Sequence, residues 1–123
     1  MYLGKVIQFN AKDERARARY AYIAKEVFHL AGETEEELVA ALVQMIRDLN
    51  DKIDIPQGIK NYGQGGVKAD ESIIDEKEFF EKAPQVAVNA IADACTGSNP
   101  RQPSPAEMEQ LLKCVYYDLP VEF

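Results

Sequence analysis

Apolar residues recur every three to four positions along most of the chain, a period that predicts helices. Ala16, Tyr20, Ile23, Ala24, Val27 and Phe28 form one such stripe within Asp13–Ala31. Gly32 follows as the expected stop, because glycine tolerates the left-handed backbone of a helix end. Thr34-Glu35-Glu36-Glu37 reads as a capping box, with the hydroxyl accepting from the Glu37 amide and the Glu37 carboxylate returning to the Thr34 amide. Leu38, Ala41, Leu42, Met45, Ile46 and Leu49 give the buried face of a helix ending near Asp51. Ile55-Pro56 and Gly58 break the period, with one helical turn expected at Ile59–Tyr62 and a flexible loop at Gly63-Gln64-Gly65-Gly66. A long helix is predicted over Asp75–Ala94, with Asp75 and Glu78 as cap residues and Phe79, Val86, Ala90 and Ile91 as apolar positions. Pro84 should kink or split it. Ser104-Pro105-Ala106-Glu107 opens the last helix, whose stripe is Met108, Leu111, Leu112, Val115 and Tyr116, and Pro120 closes it. No stretch alternates like a strand. The expected fold is all-α, a bundle of about five helices forming a single helical domain over residues 1–123.

The first ten residues fit less well. Tyr2, Leu3, Val6, Ile7 and Phe9 are strongly apolar and no cap precedes them. They read either as the tail of a helix whose beginning is missing or as an ordinary short N-terminal helix.

Composition narrows the function classes. With 46% apolar and 28% charged residues the chain has an ordinary globular mix, which excludes wholesale disorder. A net charge of −7 gives the wrong field for nucleic acid, and the local run Arg15, Arg17, Arg19 reads as a solvated helix face. The acidity is concentrated in the second half. Residues 1–62 carry 9 bases and 10 acids, residues 63–123 only 5 against 11. No apolar run approaches the ~20 residues of a membrane span, and Met1–Asn10 lacks the order of a signal peptide. The two cysteines, Cys95 and Cys114, are too few for a secreted disulfide scaffold, so a cytoplasmic location with free thiols is expected.

Candidate chemistry is sparse. The single histidine, His29, lies near a helix C-terminus and is expected to cap carbonyls there rather than bind metal. The carboxylates of Glu33–Glu37 and Asp75–Glu78 sit at helix N-termini as caps, leaving no metal site in this chain. Gly63-Gln64-Gly65-Gly66 lacks the third glycine of a dinucleotide fingerprint and follows no strand. The dense segment is Asp93 to Arg101. Cys95 is placed in a last helical turn, where the dipole disfavours a thiolate and a small wall residue is the better role. Arg101 follows a proline-fixed turn and could pair with an acid or grip backbone carbonyls. The residues themselves leave open whether this is a structural corner or a pocket wall.

Cys95-Thr96-Gly97-Ser98-Asn99-Pro100-Arg101, preceded by Ala92-Asp93-Ala94, resembles the C-terminal signature of the iron-containing alcohol dehydrogenases. Val6–Asn10, Arg19–Ala24, and the Ile55-Pro56, Ile59, Tyr62-Gly63 series resemble further family segments in the same order. Gly4 and Lys5 depart from the proline and aromatic common there. The resemblance implies a two-domain enzyme with an N-terminal α/β nucleotide-binding domain and a C-terminal helical domain. Fe(II) or another divalent metal would sit between them on one Asp and three His and polarise the substrate oxygen, while NAD(P) exchanges hydride with its carbon. None of the metal ligands or nucleotide motifs has a counterpart in these residues. The one active-site position that transfers is Cys95, as a wall of the substrate and cofactor cleft. Thr96, Gly97, Asn99, Pro100 and Arg101 transfer as the structural turn. On this reading the chain is the C-terminal part of an alcohol dehydrogenase, silent alone, and its partners are the missing N-terminal domain and, by family resemblance, other copies of itself. The alternative is a non-catalytic helical interaction or assembly module. A small enzyme using Cys95 as nucleophile is the weakest of the three.

Overall fold

The computed structural model describes all of residues 1–123. Its elements are α1 (Tyr2–Asn10), α2 (Glu14–Tyr22), α3 (Glu35–Lys52), α4 (Glu76–Ala92) and α5 (Pro105–Tyr117), so the all-α bundle of five helices is what forms. A π-helical turn, Ile23–Val27, extends α2, and short 3-10 turns occupy Ile59–Asn61, Gln64–Gly66 and Thr96–Ser98. The β-pairing consists of one isolated bridge, Tyr62 to Lys68.

Local chemistry sets most boundaries. The Thr34 hydroxyl accepts from the Glu37 amide at 3.2 Å while Glu37 accepts from the Thr34 amide at 3.4 Å, completing the capping box. Ser104 and Glu107 repeat it at 3.2 and 2.8 Å. Asp75 caps α4 through the Glu78 amide at 2.8 Å.

α2 packs along α3, α4 along α5, and α1 touches both pairs. Ile7, Ala21, Ala24, Leu38, Val39, Leu42 and Val43 form the larger core cluster. Phe9 with Cys114 and Val121 joins α1 to the C-terminal segment. Ile59, Val115 and Tyr116 form a third cluster, against which Phe79 and Phe80 stack with ring centroids 4.9 and 5.1 Å from Tyr116.

The structure corrects several sequence expectations. The first helical stretch ends at Val27 with Phe28 as its C-cap, short of Gly32. The π turn inserts a wider ring, so Ala24 stays buried while Val27 and Phe28 turn outward. His29 takes the left-handed conformation (φ 53°) that glycine was expected to supply, and the Leu30 amide reaches back to the Ala24 carbonyl at 2.9 Å. His29 ends the helix through its backbone, and its side chain is exposed. Gly32 is needed for space instead: a Cβ there would sit 3.0 Å from the Leu38 side chain. On α3 the buried face includes Val39 and Val43, while Leu49 is exposed. α4 is one continuous helix across Pro84, whose ring lies on the exposed side, and its buried positions are Ala83 and Ala87. It stops at Asp93 (ψ 135°), so Cys95 lies beyond the helix. α5 ends at Asp118 in the left-handed region (φ 59°), before Pro120 is reached. The Gly63–Gly66 loop is a hydrogen-bonded turn, in which the Gly63 amide reaches the Val67 carbonyl at 2.8 Å. No helix is long and apolar enough to cross a membrane.

Candidate functional site

The segment Asp93–Pro103 folds as a corner between α4 and α5, and nearly every polar atom in it has a fixed partner. The Asp93 carboxylate accepts from the Cys95 amide at 2.8 Å as α4 stops. The Thr96 hydroxyl donates to the Ala90 carbonyl at 2.6 Å, which ties the turn back to the helix end. Ser98 donates its hydroxyl to the Cys95 carbonyl at 2.8 Å. Gln102 closes the turn from behind, donating to the Thr96 and Asn99 carbonyls at 3.0 and 2.9 Å. Pro100 is exposed and fixes the backbone between Asn99 and Arg101.

Two residues carry the turn across to α1. Asn99 and Asn10 exchange side-chain amide bonds at 2.7 and 3.0 Å. Asn10 is buried and also donates to the Tyr20 hydroxyl at 3.2 Å, so the turn is connected through it to α2. The Arg101 guanidinium does both things the sequence left open. It donates to the Phe9 and Phe123 carbonyls at 3.1 and 2.8 Å and pairs with the Glu107 carboxylate. It also lies over the Phe9 ring, 3.9 Å from the centroid. Glu107 is therefore shared between the α5 capping box and Arg101. The Ser104 bonds first, and then the Arg101 charge, hold its carboxyl below the usual range.

This corner forms one side of a cavity of about 280 Å³ between α1 and α5. Cys95, Thr96 and Asn99 line it from the turn, Val6 and Phe9 from α1, and Met108, Leu112 and Val115 from α5. The corner therefore borders this cavity. Cys95 is exposed at its edge, beside the exposed Tyr2 and Val6. Gly97 is also exposed, and a Cβ there would meet nothing within 4 Å, so no contact within the chain requires glycine. Cys114, by contrast, is buried, and burial pushes its thiol up.

A second polar centre is built around Lys5 of α1, which also borders this cavity. Lys5, buried although charged, donates to Asp118 at 2.9 Å, and Arg47 from α3 grips the same carboxylate with both nitrogens at 2.7 Å. Burial opposes ionisation of Asp118, but the hydrogen bonds from Arg47 and Lys5 outweigh it and hold its carboxyl at about 2. The site locks the end of α5 onto α1 and α3.

Neither centre suits a metal. No group of three His, Cys, Asp or Glu side chains converges anywhere in the chain. Glu37 is held in its cap, and Glu35 and Glu36 pair with Arg17 at 3.0 and 3.3 Å. Sequence reasoning missed the roles of Asn10, Gln102 and Glu107 in holding the turn. Asn10 was visible in the Val6–Asn10 segment, but pairing across 89 positions leaves no local signal.

Comparison with known proteins agrees with this architecture. A family model described as the C-terminal part of the Fe-containing alcohol dehydrogenase family matches residues 1–116. The chain is 45% identical, over its whole length, to an NADPH-dependent butanol dehydrogenase of Clostridium saccharobutylicum, and covers 28% of that protein. It is 32% identical over 96% of its length to an alcohol dehydrogenase of Thermococcus barophilus, covering 26% of it. Against the bifunctional aldehyde-alcohol dehydrogenase of Escherichia coli K12 the identity is 28%, over 91% of this chain and 13% of the relative. The chain thus spans about a quarter of the length of the first two relatives. With its matched span, its five helices and its Cys95–Arg101 corner, the chain belongs to the Fe-containing alcohol dehydrogenase family and carries that family's C-terminal helical domain.

Proposed function

We propose that this chain is the helical part of a metal-dependent, NAD(P)-linked alcohol dehydrogenase that interconverts primary alcohols and aldehydes. Its own contribution is one wall of the cleft, and it is inactive alone. The observation that carries this reading is the Cys95–Arg101 corner: it is braced internally at almost every polar atom, yet it leaves Cys95 and the bare backbone of Gly97 facing open space. A rigid edge with no partner inside the chain suits an active site completed from outside.

The metal and the nucleotide belong on an N-terminal α/β domain in this reading, since no residues here fit a metal ion. When bound there, the metal would polarise the substrate oxygen. This chain's residues do three things. Arg101 and Asn99 fix the turn against α1, Cys95 borders the cleft, and Tyr2 and Val6 flank its mouth, with Leu3 exposed beside them on α1. Those three residues also support docking against the N-terminal domain, because apolar surface gains by leaving water. The same patch would serve a non-catalytic assembly module, and activity in a chimera that supplies the N-terminal domain separates the two.

The direct test uses the purified 123-residue chain with ferrous iron, NAD+ or NADP+, and a primary alcohol. The expected result is no nucleotide reduction and no iron retained after gel filtration. Chelator-sensitive turnover by the chain alone would refute the reading.

A further inference from the structure

A groove of about 650 Å³ lies between α1 and α3, and no residue of the Cys95 corner lines it. Its long wall is one face of α3, where Glu36, Val39, Ala40, Val43, Gln44 and Arg47 recur at helical spacing. At ~1.5 Å per residue that face runs about 16 Å, or three turns. Lys5 and Gln8 of α1 form the facing wall. Arg17 stands at one end, 3.3 Å from Glu36, and Lys5 and Arg47 meet Asp118 at the other. The floor is aliphatic, with Val39 and Val43 buried and Ala40 exposed, and no aromatic ring lines it. Its charge is unlike that of the molecule. Four cationic side chains face two carboxylates along it, in a chain of net charge −7. Residues 1–19, which supply three of those cations, hold five bases and two acids. One of the three, Lys12, is exposed and makes no ion pair.

Shape decides what this charge would hold. A compact anion needs its cations gathered at one point, and here they stand at both ends of an aliphatic floor. A helix laid in the groove would meet all of them, with its apolar stripe on the floor and acidic side chains at its flanks. We infer that the groove docks an acidic amphipathic helix of a separate protein, about three turns long. Its stripe must be small. Val39 and Val43 are already nearly covered, so only alanine-sized residues bring a third helix close to them. The source is a separate protein because none of Tyr2, Leu3 and Val6, the edge on which the proposed N-terminal domain docks, lines this groove. A second copy offers a poor match. On α4, the acidic helix, Glu78 and Glu81 are already paired with Lys82 and Lys77.

The probe is a labelled helical peptide of about twelve residues, blocked at both ends, with an alanine stripe flanked by glutamates. It is titrated with the 123-residue chain, followed by fluorescence anisotropy and by the methyl NMR signals of Val39 and Val43. The expected result is saturable binding that shifts both valines and weakens at least about five-fold between ~50 and ~300 mM salt. A lysine-flanked peptide should bind at least about ten-fold more weakly. Lys12→Glu should weaken binding roughly five-fold. Ala40→Trp, exposed inside the groove, should abolish it, and Ala18→Trp, exposed on α2 outside the groove, should leave it unchanged. Thermal melts of the three variants show that each is folded. No saturable binding, equal binding of the lysine-flanked peptide or of one with its stripe scrambled, or binding indifferent to Ala40→Trp would each overturn the inference. So would self-association of the chain that the peptide reverses, which assigns the groove to a second copy. So would a peptide that binds this chain but not its chimera with a relative's N-terminal domain, which assigns the groove to the parent's own polypeptide. None of these outcomes touches the cleft reading, whose test is turnover.

Discussion

Arg101 joins four parts of the molecule with one side chain. Its fork reaches two carbonyls from distant segments and the Glu107 carboxylate, and its flat face covers Phe9. A lysine offers a point charge without the fork or the stacking plane. Arg101→Lys should therefore destabilise the chain by about 3 kcal/mol, close to the cost of Arg101→Ala, because hydrogen bonds to charged groups contribute ~1.5–3 kcal/mol and the freed carbonyls are half-buried. Urea unfolding of the two variants checks this; full rescue by lysine would contradict it. Asp118 makes a different prediction. Its folded carboxyl titrates at about 2 instead of the ordinary 3.8. A depressed value means the stabilisation is fully present above about pH 4 and is lost as pH falls through 2. The shift corresponds to about 2 kcal/mol. Asp118→Asn keeps a side chain suited to the left-handed backbone but leaves the buried Lys5 without its counter-charge. It should cost ~3 kcal/mol near neutral pH and remove that part of the acid dependence. Unfolding curves at pH 7, 4 and 2.5 measure both effects.

At the scale of elements, boundaries with local causes were legible in the chain and boundaries with tertiary causes were not. The caps at Thr34, Asp75 and Ser104 use side chains three residues from their partners, and all formed as expected. The π turn left no local trace, and it displaced Val27 and Phe28 from the predicted core. Pro84 was expected to kink or split α4 because proline removes a backbone donor. Its ring faces out, away from the buried Ala83 and Ala87, and α4 is not split there. Of the site, Arg101's two kinds of partner were foreseeable, while the Asn10–Asn99 exchange depended on α1 and the turn meeting in space. Gly58 is the same kind of case. It reads as a helix breaker, but a Cβ there would lie 2.8 Å from the Tyr116 carbonyl oxygen, so its role is to let the Ile59 segment close on the end of α5. Gly58→Ala should cost ~1–3 kcal/mol, as overpacking does. A thermal melt reads this, and an unchanged midpoint would show that the contact yields freely.

At the scale of the whole molecule, the helices are organised around two anchors on α1. One is the Lys5–Asp118–Arg47 ion cluster, and the other is the set of Asn10–Asn99 and Arg101 contacts that brace the Cys95 corner. Tyr2, Leu3 and Val6 on the same helix are exposed to solvent. This asymmetry, with a firmly tied interior and an apolar outer edge, is what an N-terminal domain docking on α1 would complete. The central claim is that this chain can stand in for the matching region of a working relative. Its most direct measurement replaces the homologous region of the Clostridium saccharobutylicum butanol dehydrogenase with these 123 residues and follows alcohol-dependent NADP+ reduction. The account predicts chelator-sensitive activity in the chimera and none when Arg101 is changed to alanine. A folded, iron-loaded chimera with no turnover, beside an unaltered relative that is active under the same conditions, would contradict it.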